Sequence, residues 1–247
     1  MQLIRKIHTI FSLLEHFGSL KAFITWPKFS LTSYLMVSGL AKQGILPKTV
    51  LDVGANVGQF AVASAKIFPH VQIYSFEPLP ECYKKLQKNA VDSGNIKVYP
   101  LALGDCENEL NFHVNSYNLS SSILPLGKSH LEAFPKVKET DTILVKVTTL
   151  DRVFTDIELH SPVLLKLDVQ GYEANVIRGG VDTLRRIDYV VIEVSFKQMY
   201  EGELLFNDIT QMMKEHGFQF NRPLCWLSMD RTDEIIQMDA LYTRELK

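Results

Sequence analysis

VLDVGANVGQF, residues 50–60, joins a strand to a helix through two glycines. Val50 to Val53 is a short apolar run and reads as a buried strand. Gly54 and Gly58 follow, with Ala55 and Asn56 between them, and Phe60, Val62, Ala63 and Ile67 then take up helical spacing. Such a turn suits a nucleotide. Glycine lets the backbone approach a ligand that a Cβ would block, and the helix start offers free N–H groups. The spacing is G-x-x-x-G, not the G-x-G-x-x-G of dinucleotide sites. Asp52 precedes the first glycine. Its carboxylate would repel a pyrophosphate and suits a positive group such as an ammonium.

The next strand, VQIYSF at 71–76, ends in Glu77-Pro78. Glu77 falls roughly 20 residues past the turn, where nucleotide folds place the acid that binds ribose hydroxyls. Asp52, Gly54, Ala55, Asn56, Gly58, Glu77 and Pro78 together read as a site for S-adenosyl-L-methionine.

The chain has 247 residues, 46% of them hydrophobic, enough for one large α/β domain. Residues 47–247 form that domain, preceded by a helical extension over 1–46. With a net charge of −2 and no dense basic tract, a nucleic-acid partner is not expected. Cys82, Cys106 and Cys225 are odd in number and lack metal spacing, which points to reduced thiols and a cytoplasmic setting. No apolar stretch is long enough to span a bilayer. Residues 3–24 carry apolar side chains at helical spacing, interrupted by Glu15, His16 and Lys21, and do not read as a secretory signal. They form a helix that packs on the domain or caps its pocket, or one that meets a membrane surface through an amphipathic face. Self-association into a homo-oligomer stays open.

Strands and helices alternate along the rest of the chain. Helices are expected over 31–43, 80–91 and 206–216, and strands at IKVYPL (96–101), LNFHV (110–114), ILVKVTT (143–149), VLLKL (163–167) and DYVVIEV (188–194). Phe218–Phe220 and Met238–Tyr242 are expected as final antiparallel strands. The loop Ala102-Leu103-Gly104-Asp105 is expected against an adenine. Residues 115–140 are polar and without period, as in a lid or a disordered surface loop. The alternation implies a mostly parallel sheet with helices on both faces.

DVGANVG, FEP at 76–78, LALGD at 101–105, TTLD at 148–151, LKLDVQGYE at 165–173 and IEVS at 192–195 resemble, in order and spacing, the FkbM-type methyltransferases. The resemblance covers residues 48–243. It implies a class I, Rossmann-like methyltransferase fold with a central, mostly parallel seven-stranded sheet. It also implies S-adenosylmethionine as cofactor and O-methylation of a hydroxyl on a sugar, glycan or polyketide-like small molecule. Gln170 departs from the many members that carry Glu there.

Methyl transfer requires acceptor oxygen, methyl carbon and sulfur in line. A hydroxyl acceptor must also lose its proton, to a base or with the help of a metal. Asp168 ends VLLKL and Glu193 lies near the end of the next strand, both at the carboxyl edge that borders the crevice. Asp168 is the first candidate for base, metal ligand or contact to the cofactor's amino group, and Glu193 is the second. Together they could hold Mg2+ through oxygen. His130 is the histidine within the polar segment and a third catalytic candidate. Lys166 shares a strand face with Asp168, and a salt bridge between them would be structural. Glu173, in the first turn of a helix, has a structural role at least as readily as a catalytic one. A nicotinamide-dependent oxidoreductase is disfavoured by Asp52 and the glycine spacing. A non-catalytic nucleotide-binding scaffold is disfavoured by the acids at 52, 77 and 168. The Asn/Asp-Pro-Pro-aromatic motif of nucleic-acid N-methyltransferases is replaced by DVQGY.

Overall fold

The computed structural model describes residues 17–68, 70–229 and 232–244. Among the described residues ten strands fall into two sheets. The central one is β3 (Ile96–Tyr99), β2 (Gln72–Phe76), β1 (Thr49–Val53), β7 (Val163–Leu167), β8 (Tyr189–Ser195), β10 (Ile235–Arg244) and β9 (Phe218–Ser228), in that spatial order. The first five run parallel, and β10 is antiparallel to both of its neighbours. The chain winds outward from β1 to β3 and returns to β7 on the other side of β1. The order therefore reverses between β1 and β7, and the carboxyl ends of these strands border the ligand crevice.

β1 and β7 are buried on both faces, so their sequences are near-continuous apolar runs. Leu51, Val53, Leu165, Leu167, Val190 and Ile192 point to one face and pack with the helices that follow β6 and β7, and with Phe206–Glu215. Val50, Ile73, Leu164, Val191 and Leu241 point to the other. There they meet Met36, Val37 and Leu40 of the helix Leu31–Lys42 and Phe60, Ala61 and Ala63 of the helix Gln59–Ile67. Strand alternation puts Asp52, Lys166, Glu193 and Asp239 on this second face as well. The charged residues thus lie under the two helices that flank the glycine turn.

The expected strand at 96–101 is split. β3 stops at Tyr99, Pro100 has no N–H to offer a ladder, and Ala102–Leu103 (β4) turns into the smaller sheet. That sheet has the order β4-β6-β5, with β5 (Asn108–Asn115) and β6 (Glu139–Thr148) antiparallel. The polar segment between β5 and β6 is structured. A bridge joins His113 to Ser122, a short helix spans Lys128–Ala133, and a second bridge joins Leu126 to Tyr200. Of the amphipathic stretch 3–24, Phe17–Thr25 is helical and residues 3–16 lie outside the described residues.

Candidate functional site

A cavity of about 280 Å³ opens at the carboxyl ends of β1, β2 and β7. Its walls come from Gly54–Asn56, Glu77–Leu79, Leu101–Leu103, Asp168–Gln170 and the N-terminal half of the helix Leu31–Lys42. Ser121 and Ile123 reach it from the polar segment, and Lys166, Glu193 and Asp239 form its charged floor. Ser30, Thr32, Ser33 and Met36 gave no sequence signal for this position.

The glycine turn is held by protein contacts. Gly54 and Ala55 donate backbone N–H bonds to the Phe76 carbonyl at 3.1 and 2.9 Å. Gly54 has φ +78°, and a Cβ there would stand 1.8 Å from the Asp168 carbonyl oxygen. Gly58 has φ +92°, and its Cβ would meet Leu86 Cδ1 at 2.8 Å. Both glycines therefore answer a protein contact; Gly54 also lines the cavity, whereas for Gly58 the expectation of approach to a ligand is corrected. Gly54 lets β1 lie against the end of β7, and Gly58 lets the helix start against Leu86. Gly58 does not line the cavity.

Glu77 is buried and ties this turn to its own loop. Its Oε2 accepts from Asn56 N and its Oε1 from Leu79 N, each at 2.8 Å. Each carboxylate oxygen keeps a second lone pair, so the side chain can still accept from ribose hydroxyls. Burial pushes its pKa up to about 7, against the lowering effect of the two backbone bonds. Leu79, Leu101, Leu103 and Phe112 give an apolar wall beside it, which suits an adenine.

Asp52 does not line the cavity. It is fully buried below it, with Ser75 Oγ donating to Oδ2 at 3.4 Å and Lys166 Nζ at 3.7 Å from Oδ1. The expectation that it meets the cofactor's ammonium is corrected: Lys166 lies against its carboxylate and lines the cavity itself. Lys166 Nζ also donates to Asp168 Oδ2 at 3.0 Å and lies 5.6 Å from the centre of the Phe60 ring. Burial alone would lower the lysine's pKa, and the charges of Asp168 and Asp52 outweigh it and push it up.

Gln170 connects the two catalytic candidates. It adopts a left-handed conformation, φ +57°, followed by Gly171 at +93°. Its Nε2 donates to Asp168 Oδ1 and to Glu193 Oε2, each at 2.7 Å. Its Oε1 accepts from the Tyr200 hydroxyl, and its carbonyl from Ser122 Oγ at 2.6 Å. This placement corrects the Mg2+ expectation. An amide NH2 bridges the two carboxylates that a cation would need. Among the described residues no group of three or more His, Cys, Asp or Glu is arranged to hold a metal ion. Glu193 is raised well above the ordinary carboxylate range by burial and by Asp168 and Asp239. Asp239 faces Glu193 across the β8–β10 ladder and is raised to about 6 by burial and Asp168.

His130 does not line the cavity. Its helix turns it inward, with ring centres 5.0 Å from Phe134 and 5.6 Å from Tyr200. Glu173 is structural: its Oε1 accepts from Val169 N and Gly171 N at 2.9 and 3.3 Å and staples the loop after β7. Asp239 and Lys166 were missed or undervalued as site residues. The available signal was a lone charge inside each of two apolar central strands, QMDALY and VLLKL.

Fold and family together define a class I S-adenosylmethionine-dependent methyltransferase. The chain belongs to the FkbM methyltransferase family, whose model, Methyltransferase FkbM domain, matches residues 52–220. It is 29% identical over 171 residues to the 2-O-methyltransferase NoeI of Sinorhizobium fredii, covering 66% of this chain and 70% of that protein. It is 24% identical over 179 residues to the hexuronic acid methyltransferase AglP of Haloferax volcanii, covering 69% of each. It is 25% identical over 198 residues to the 31-O-demethyl-FK506 methyltransferase FkbM of Streptomyces tacrolimicus, covering 68% of this chain and 72% of that one.

Proposed function

We propose that the protein methylates a hydroxyl of a sugar or glycan, with Glu77 at the ribose and Asp168 at the reacting end. The observation that carries this reading is the placement of the two acids. They stand on either side of the Gly54–Asn56 turn, in one cavity, at the point where the strand order reverses. The sugar class is supported by the similarity to a hexuronic acid methyltransferase and a 2-O-methyltransferase. The similarity to the FK506 methyltransferase supports a polyketide hydroxyl as the second reading.

When bound, S-adenosylmethionine would supply a methyl group on a positively charged sulfur, with a neutral thioether as the leaving group. Glu77 would accept hydrogen bonds from its ribose hydroxyls. Asp168, with 31% of its side chain exposed, is the carboxylate that an acceptor can reach. It takes the hydroxyl proton as the carbon–oxygen bond forms. Lys166 and Gln170 fix the orientation of its two oxygens, and orientation supplies much of the rate in an in-line displacement. Glu193, pushed above the ordinary carboxylate range by burial and by Asp168, lies on the other side of Gln170. Incubation with S-adenosylmethionine and a panel of uronic acids, hexoses and macrolide alcohols, read by mass spectrometry, tests the acceptor class. Methylation of sugars is expected. Methylation confined to the macrolides would replace the first reading by the second.

A further inference from the structure

The helix Phe17–Thr25 presents its large apolar side chains outward. Ser19 and Ala22 are buried, whereas Leu20, Phe23 and Ile24 are 46%, 58% and 73% exposed. These three lie at i, i+3 and i+4 and share one face. A helix held only by the core would turn that face inward. Phe23 continues into an aromatic cluster with Phe29, Trp26 and Tyr34, with successive ring centres 5.7–6.0 Å apart. Lys21 and Lys28 flank the cluster. Between Phe17 and Lys48 the sequence holds four basic side chains, Lys21, Lys28, Lys42 and Lys48, and no acid, in a chain whose net charge is −2. The stretch that carries the apolar face is therefore basic in a chain that is acidic as a whole.

We propose that this face docks on an anionic lipid bilayer. Leu20, Phe23 and Ile24 enter the interfacial zone, the aromatic rings sit at headgroup depth, and Lys21 and Lys28 reach the lipid phosphates. Charge selects the occupant. A second copy packed on the same face by two-fold symmetry would bring basic patch against basic patch, whereas an anionic membrane complements it. Among the described residues no helix is long and apolar enough to cross a membrane. Ser30, Thr32, Ser33 and Met36, which follow directly, line the cavity. Docking thus brings the cavity's N-terminal wall to the membrane, and the acceptor hydroxyl is one carried on a lipid. That consequence rests on the methyltransferase reading, while the docking itself does not.

Flotation of the full chain with phosphatidylcholine vesicles, with and without phosphatidylglycerol, tests the docking. Binding about thirtyfold stronger to the anionic vesicles is expected, the factor that two basic residues near such a surface supply, and it should be lost in Lys21→Glu/Lys28→Glu. Phe23→Ser/Ile24→Ser should abolish flotation, and both variants should bind S-adenosylhomocysteine like the wild type. No flotation, equal binding to neutral and anionic vesicles, or variants that float like the wild type would overturn the proposal. With labelled S-adenosylmethionine and membranes of the source cell, the methyl label should enter material extractable into organic solvent. Label confined to the aqueous phase would overturn the lipid-carried acceptor. Flotation reads the docking and S-adenosylhomocysteine titration reads the cofactor site, so the two readings fail separately.

Discussion

Lys166 of β7 donates to Asp168, one residue past the end of that strand, across 3.0 Å. A buried cation thereby holds the Asp168 carboxylate at the cavity floor, and Asp52 lies 3.7 Å from the same amine as its buried counter-charge. Lys166→Met leaves Asp52 buried without its partner, a change that costs about 3–5 kcal/mol in comparable sites. Urea denaturation should show that loss, and adding Asp52→Asn should recover part of it. A single variant as stable as the wild type would mean that the ion pair has no structural weight.

Gln170 should act through the acids that it bridges. Its amide holds Asp168 Oδ1 and Glu193 Oε2 at 2.7 Å each, so Gln170→Leu frees the orientation of the Asp168 carboxylate. The variant should show a lower kcat with little change in cofactor affinity, because orientation supplies much of the rate in an in-line displacement. An unchanged kcat in a variant that melts like the wild type would reduce Gln170 to a packing residue.

Much of this site was legible before any coordinates. The glycine turn, Glu77, Asp168 and Glu193 each close or follow a strand, and an acid at a strand's carboxyl end has few places to point in a parallel sheet. The sequence misled where a residue's partner lay far along the chain. Asp52 read as a ligand contact because nothing local showed Lys166 lying against it from the neighbouring strand. Gly54 read as making room for a ligand; it does line the cavity, and the carbonyl of Asp168 needs the same room. The polar segment 115–140 showed no period because its order comes from isolated bridges to His113 and Tyr200.

Glu173 couples stability to pH. Burial raises it to about 8, above an unfolded value of about 4.3. The native state then holds a proton that the unfolded state releases, so this contribution is full at low pH and is lost as pH rises through about 8. Glu173→Gln keeps the oxygen that accepts from Val169 and Gly171 and removes the titration. The variant's melting temperature should fall less than the wild type's between pH 5 and 8. Parallel curves would exclude Glu173 as the source.

Asp168→Asn preserves shape and removes the charge. Turnover at saturating cofactor should drop by roughly 10²–10⁴, the range of general acid–base groups, with cofactor affinity little changed. Preserved turnover with weakened cofactor binding would make Asp168 a contact to the cofactor's amino group, and normal kinetics would pass the role to Glu193.

Calorimetric titration with S-adenosylhomocysteine, on the wild type and on Glu77→Gln, bears on the cofactor site itself. The wild type should bind and, because ribose hydroxyls favour the charged carboxylate of a group held near 7, release protons at neutral pH. Glu77→Gln should bind roughly 10- to 150-fold more weakly, the equivalent of about 1.5–3 kcal/mol for hydrogen bonds to a charged group, and without that proton release. No binding by the wild type, or equal affinity in a variant that melts like the wild type, would contradict the assignment of this cavity to S-adenosylmethionine.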